Sequence, residues 1–194
     1  MSSVIYLTGA PATGKSTLSR NLKAAYPEVL LFAYSEQLRD LVGRRLGNES
    51  LGEDEIRRQS SQVVTAQDVI DLDKQLIETV RSERSRRPVL IDSHAVTKEA
   101  YGFRVTAFSV AALQALDPDV IICLYASSAV VLDRIRRHPS GRPTVTEFEA
   151  DFHTHGQVAL AIQYGVILGK PVYLVDSAAS EDDLVSVVAT KAKL

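Results

Sequence analysis

The chain has 194 residues, 45% of them hydrophobic and 24% charged, the size and composition of one globular domain with a substantial core. Its formal net charge of −2 supplies no global basic field, so the charge balance does not point to nucleic acid. A single cysteine, Cys123, excludes an internal disulfide and a cysteine-rich zinc site, and fits a reducing compartment.

Residues 4–7 read as a buried parallel strand with no leader in front of them. The run that follows is Gly9-Ala10-Pro11-Ala12-Thr13-Gly14-Lys15-Ser16-Thr17, which contains the Walker A spacing Gly9-x-x-x-x-Gly14-Lys15-Ser16. Gly9 and Gly14 let the backbone curl so that several N–H groups turn inward, and the next helix adds its positive N-terminal end. Lys15 can then reach the β- and γ-phosphates of ATP, while the Ser16 hydroxyl can ligate Mg²⁺. The plain alternative is a glycine-rich turn carrying a solvated lysine; the strand–loop–helix context argues against it.

A helix over 15–26 is predicted from Leu18, Leu22 and Ala25, ending at Pro27. Residues 29–33 form a second apolar run, and 36–45 a short amphipathic helix with Leu38, Leu41 and Val42 on one face. The polar segment 46–61 reads as an insertion outside the core. Residues 62–84 are helical by pattern, and the basic cluster Arg84-Ser85-Arg86-Arg87 reads as a solvated helix end. The third strand is 89–92. A loop through Gly102 is expected to lead into a helix over 106–116. A strand over 120–125, a helix over 128–137, a tight loop over 138–143 and a long helix over 146–168 follow. A fifth strand over 172–175 and a helix over 181–193 complete the pattern. The fold class is therefore α/β: a five-stranded parallel sheet with helices on both faces, forming one domain over 1–194. The longest uncharged run, 156–169, is too short to span a membrane, and a cytoplasmic protein is expected.

Asp92 ends an apolar strand at the sheet edge where ligands bind, and can be the second acidic partner of the Mg²⁺ site; its plain role is a turn cap. No Asn-Lys-x-Asp stretch is present to read guanine, and Ser93 follows Asp92 where hydrolytic engines often carry glutamate. Transfer to an acceptor is thus favoured over hydrolysis. An acceptor that is itself a phosphate needs positive charge rather than a base. Arg39, Arg57 and Arg58 lie in one segment expected to ring the site, and Arg134, Arg136, Arg137 and Arg142 flank a short loop that suits a small lid. Any one of these arginines could be an ordinary surface charge.

These motifs resemble the nucleoside-monophosphate kinases, and the chain is most similar to the archaeal-type adenylate kinases. The resemblance runs from Val4 to about Val175. Its most specific parts are the phosphate loop, Val89-Leu90-Ile91-Asp92-Ser93-His94 with Lys98, Leu116-Asp117-Pro118-Asp119-Val120-Ile121-Ile122, and Tyr164-Gly165-Val166 leading to Gly169. It implies Mg²⁺-dependent transfer of the ATP γ-phosphoryl group to a nucleoside monophosphate, with AMP expected. It implies a P-loop nucleotide-kinase fold, a monophosphate-binding insertion over about 34–61 and a lid over about 134–144. Ser35 and Arg57 would lie beside the monophosphate, with Arg134 and Arg142 in the lid; Arg39 would hold the AMP phosphate by analogy to the wider adenylate kinases. Lys15, Arg57, Arg134 and Arg142 are then the expected catalytic groups. His94 reads either as a hydrogen-bond donor to the acceptor or as structural. His153 and His155, two apart on a helix, do not share a face and make a poor metal pair. The expected partners are small-molecule substrates. The resembling enzymes form trimers, so a homo-oligomer is compatible, although no subunit interface is legible.

Two departures stand out. The family carries an arginine early in the long helix after the lid; here Val158 falls near that position, and 148–168 contains no Arg or Lys. The family's Pro-Gly-Leu-Pro turn is replaced by Phe103-Arg104-Val105-Thr106-Ala107-Phe108. Two rival readings follow: a kinase of another small acceptor with Asp92 or Glu36 as base, or a nucleotide-binding switch with little kinase activity.

Overall fold

The computed structural model describes residues 2–47, 63–139 and 144–194. The strands are β1 (Val4–Gly9), β2 (Leu30–Ala33), β3 (Val89–Asp92), β4 (Val96–Glu99), β5 (Gly102–Val105), β6 (Val120–Tyr125) and β7 (Val172–Asp176). The helices are α1 (Lys15–Ala25), α2 (Tyr34–Leu46), α3 (Ala66–Glu83), α4 (Val110–Leu116), α5 (Ser128–Arg137), α6 (Glu147–Leu168) and α7 (Glu181–Ala192). The five expected strands pair, all parallel, in the order β2-β3-β1-β6-β7.

Side-chain alternation along β1 explains the layers. Val4 and Tyr6 point into one core with Ile91 and Ile121, where Leu72 and Leu76 of α3, Leu113 and Leu116 of α4, and Ala161 and Tyr164 of α6 pack. Ile5 and Leu7 point the other way, against Leu18 and Leu22 of α1 and Leu184 and Val188 of α7. Each of these fully buried aliphatic side chains contributes about 1.5–3 kcal/mol of burial, so the strand edges are rigidly placed. Leu7 and Ala33 both pair with Asp92, and Gly9 pairs with Leu124, which brings the carboxyl ends of β1, β2, β3 and β6 level at one edge.

One segment differs from the sequence expectation. Residues 96–105 are an antiparallel hairpin rather than a loop, and the helix expected from 106 starts at Val110, capped by the Ser109 hydroxyl. Gly102 allows the reversal: it takes φ 138°, in the region that disfavours side chains, directly after Ala100 and Tyr101. Helix α6 anchors the hairpin from outside. Gln157 accepts from Val96 N (3.2 Å) and donates to Thr8 Oγ1 (2.8 Å), and His153 Nε2 donates to Val96 O (2.8 Å). The helix expected from 62 begins at Ala66, where Thr65 and Asp68 form a reciprocal capping box. The basic cluster is ion-paired at the surface, Arg87 with Glu83 at 2.6 Å and Arg84 with Asp117 at 3.6 Å.

Near its C-terminus α6 crosses β7 so closely that a Cβ on Gly165 would overlap Val172 Cγ2 and come within 3.0 Å of Lys170 O. Gly165→Ala is expected to lose about 1–3 kcal/mol by overpacking. A melting curve checks this; a midpoint equal to the wild type would show that the crossing relaxes freely.

Candidate functional site

The loop after β1 has the curled backbone its sequence implies. Gly9 takes φ 150°, Ala12 φ 63° and Gly14 φ 87°, and Thr13 Oγ1 donates to Ala10 O at 2.7 Å to close the turn. A Cβ on Gly9 would lie 2.5 Å from Leu124 O, so the loop tolerates only glycine there. Gly14 is the N-cap of α1 and offers no side-chain acceptor, which leaves the first N–H groups of that helix open. Lys15 Nζ folds back onto the loop and donates to Gly9 O at 2.8 Å.

The loop forms one wall of a cavity of about 1180 Å³ that extends across the carboxyl edge of the sheet. Ala10, Pro11, Ala12, Thr13, Gly14, Lys15, Ser16 and Thr17 all line it, as do Ser35, Arg39, Asp92, His94 and Arg134. Among the described residues there are seven helices, and five of them start on a Ser or Thr whose side chain caps the helix: Thr65, Ser109, Ser127, Thr146 and Ser180. The two without a side-chain cap are α1, after Gly14, and α2, after Ala33. Both open onto this cavity. An uncapped helix N-terminus presents bare N–H groups and positive potential, the arrangement that accepts anions.

Asp92 accepts from Ser19 Oγ at 3.0 Å, one turn beyond Ser16. Burial pushes its carboxyl above the usual range, opposed by the Lys15 charge and the Ser19 hydroxyl. Ser16 and Asp92 offer two hard oxygens on one cavity, a donor set that suits Mg²⁺, which takes one or two protein oxygens and fills the rest with water and substrate phosphate. Among the described residues no cluster of three or more His, Cys, Asp or Glu forms an all-protein metal cage.

Arg134 reaches from α5 to the loop, donating to Ala12 O (3.2 Å) and to Ser177 Oγ (3.0 Å) and O (2.6 Å). It ties the phosphate loop to the end of β7. Arg136 and Arg137 instead pair with Asp133 on their own helix, at 3.8 and 2.8 Å. Arg39 lines the cavity but turns its guanidinium to Asp40, at 2.9 Å. Arg57, Arg58 and Arg142 lie outside the described residues, as do 48–61 of the expected insertion and 140–143 of the expected lid.

Two basic groups that the periodicity did not single out enter from the hairpin. Lys98 pairs with Glu149 at 3.2 Å and Arg104 with Glu99 at 3.1 Å, and both line the cavity. Asp73 of α3 also lines it, accepting from Tyr34 OH at 2.8 Å. His153 is buried with its pKa lowered, first by desolvation, so it is held neutral against Val96 O. Burial raises the Cys123 thiol to about 12, which leaves it inert.

Residues 8–150 match the family model described as AAA domain (AAA_17). The chain belongs to that family. An adenylate kinase of Pyrococcus abyssi (strain GE5 / Orsay) is 25% identical over 169 residues, covering 86% of this chain and 82% of that protein. Among solved structures, a deoxyadenosine kinase from M. mycoides superposes with a TM-score of 0.57 at 12% identity, covering 97% of each chain. A gluconokinase from Sinorhizobium meliloti 1021 gives 0.55 at 15% identity, covering 98% of this chain and 94% of that one. The fold is the α/β nucleotide-kinase fold, and the resemblance read from the motifs extends to a curated adenylate kinase. Among the described residues no helix is long and apolar enough to cross a membrane.

Proposed function

We propose that the protein transfers the γ-phosphoryl group of Mg·ATP to a nucleoside monophosphate, AMP being the first candidate. The observation that carries this reading is the pair of uncapped helix N-termini on one cavity, one following the phosphate loop and the other beside Ser35 and Arg39. A hydrolase needs one anion site; a kinase acting on a monophosphate needs two. The relatives' names divide over the acceptor, since they include an adenylate kinase, a gluconokinase and a deoxyadenosine kinase.

In this reading the loop amides and Lys15 hold the donor phosphates, and Ser16 and Asp92 hold Mg²⁺. Held by Ser16 and Asp92, Mg²⁺ would supply positive charge to offset the charge that develops on the phosphates during transfer. An acceptor phosphate oxygen bonds to the γ-phosphorus while the bond to the β–γ bridging oxygen breaks, leaving ADP and a nucleoside diphosphate. No side chain has to remove a proton from an anionic acceptor. Ser35, Arg39 and Arg57, within an insertion over about 34–61, bind the acceptor together with His94 from just past the end of β3. Arg134 and Arg142 belong to a lid over about 134–144 that brings guanidinium charge to the transferred group. The positive charge missing near Val158 is supplied from the hairpin by Lys98 or Arg104, which reach the cavity from β4 and β5.

Incubating the purified chain with fixed Mg·ATP and a panel of nucleoside monophosphates, sugars and nucleosides, then identifying products by mass, tests this reading. Nucleoside diphosphate is the expected product. A phosphorylated hydroxyl compound with no diphosphate would assign the chain to another kinase class. ATP binding with background turnover on every acceptor would make it a switch.

A further inference from the structure

The end of the cavity away from the phosphate loop is walled by flat rings. Tyr34 and Phe108 stand edge to face, 6.1 Å apart at 82°, and Tyr6 meets Phe108 at 6.0 Å. Leu38 and Val69 complete an apolar surround. Into this surround comes one carboxylate, Asp73, from the third turn of α3. Of the other carboxylates on the cavity, Glu149 pairs with Lys98, Glu181 accepts from Asn21, and Asp92 accepts from Ser19 and lies in the field of Lys15. Among the described residues Asp73 has no ion pair, and its hydrogen bond from Tyr34 OH occupies Oδ1 alone. Burial lifts its pKa above the ordinary carboxylate range, and the Tyr34 hydroxyl offsets only part of that shift. Tyr6 OH, 1% exposed, has the Thr8 and Ser93 hydroxyls beside it.

Aromatic walls fit a planar ring, and an unanswered carboxylate oxygen fits an N–H donor on the ring's edge. We propose that Asp73 reads the base of the acceptor, taking a hydrogen bond from an exocyclic amino group, so that amino-bearing bases are accepted over their keto counterparts. This rests on the nucleoside-monophosphate reading above. Discrimination comes from both signs of the interaction: an amino group donates to the carboxylate, whereas a carbonyl oxygen in its place would face a negative oxygen. Tyr34 positions the carboxylate by holding Oδ1, and its ring forms part of the wall.

The test is kcat/KM on matched acceptors, AMP against IMP and CMP against UMP, with fixed Mg·ATP and the full chain. Wild type should favour the amino member of at least one pair by ~10-fold or more. Asp73→Asn, whose amide can donate to a carbonyl, should bring that ratio close to one by losing on the amino acceptor and gaining on the keto acceptor. Tyr34→Phe, which loses the bond to Oδ1 but keeps the ring, should keep the direction of the preference with a smaller ratio, with melting curves confirming that both variants fold. A wild-type ratio near one overturns the proposal without any variant, and so does a ratio that Asp73→Asn leaves unchanged. Equal loss on every acceptor would make Asp73 a general base or a structural group instead, and would also overturn it. If wild type phosphorylates no nucleoside monophosphate, the proposed function falls first and this inference falls with it.

Discussion

Lys15→Ala is expected to cut phosphoryl transfer by ~10³-fold or more while moving the melting midpoint very little. The two halves of that expectation have separate causes. In the folded protein the ammonium makes a part-buried bond to Gly9 O (2.8 Å), and an interaction of that kind contributes about 1 kcal/mol net. In the transition state the same charge would lie against phosphate oxygens, where a fixed, preorganised cation stabilises far more. Lys15 also lowers the pKa of Asp92 through space. Removing it makes that carboxyl harder to ionise, so the expected metal site weakens together with the phosphate site. Lys15→Arg should not restore the rate, because a planar guanidinium cannot occupy the space of a compact ammonium inside the loop. ADP release in a coupled assay, paired with a thermal melt, reads both halves. Near-wild-type turnover in Lys15→Ala would remove the loop from the chemistry.

What was legible in the chain and what was not divides by the origin of each feature. The phosphate loop, the five apolar strands and the long helices are set by residues close in sequence, and all formed within a few residues of the bounds that periodicity implies, the largest shift being the start of α3 at Ala66 instead of 62. The hairpin at 96–105 was read as a loop because its anchor is remote: Gln157 and His153 clamp Val96 from 61 and 57 residues further along the chain. No window of local sequence contains that information. Lys98 carries part of the family resemblance and Arg104 part of the replaced turn, but it is the hairpin that brings both to the cavity. Asp73 sits in an ordinary amphipathic helix, and its meaning comes from Tyr34, 39 residues away, whose hydroxyl it accepts. Arg134, which the resemblance assigns to a lid, shares one run with Arg136 and Arg137, yet those two pair with Asp133 while Arg134 donates to the loop. Spacing could name the cluster; only position on the helix face separates its members.

Asp92→Asn is expected to move activity and stability in opposite directions. Its folded-state pKa is raised above the ordinary value of 3.8, mainly by burial. Between 3.8 and that raised value the unfolded chain gives up its proton while the folded protein keeps it. Stability therefore falls as pH rises through this window and stays lowered above it. Asparagine escapes that loss, and its Oδ1 can still accept from Ser19 Oγ, which lies 3.0 Å from the carboxylate. The variant should melt higher than wild type at neutral pH, by on the order of a few degrees, and the two should converge below the carboxylate range. Turnover should fall by ~10²–10³-fold, because a neutral amide cannot supply the anionic oxygen that the ion requires. A variant that melts lower at pH 7 would show that Asp92 is held by compensating contacts rather than strained by burial. One that melts higher yet turns over normally would place the metal elsewhere. A variant that melts higher and turns over more slowly would show that the Asp92 charge costs the fold stability and serves the proposed ion instead.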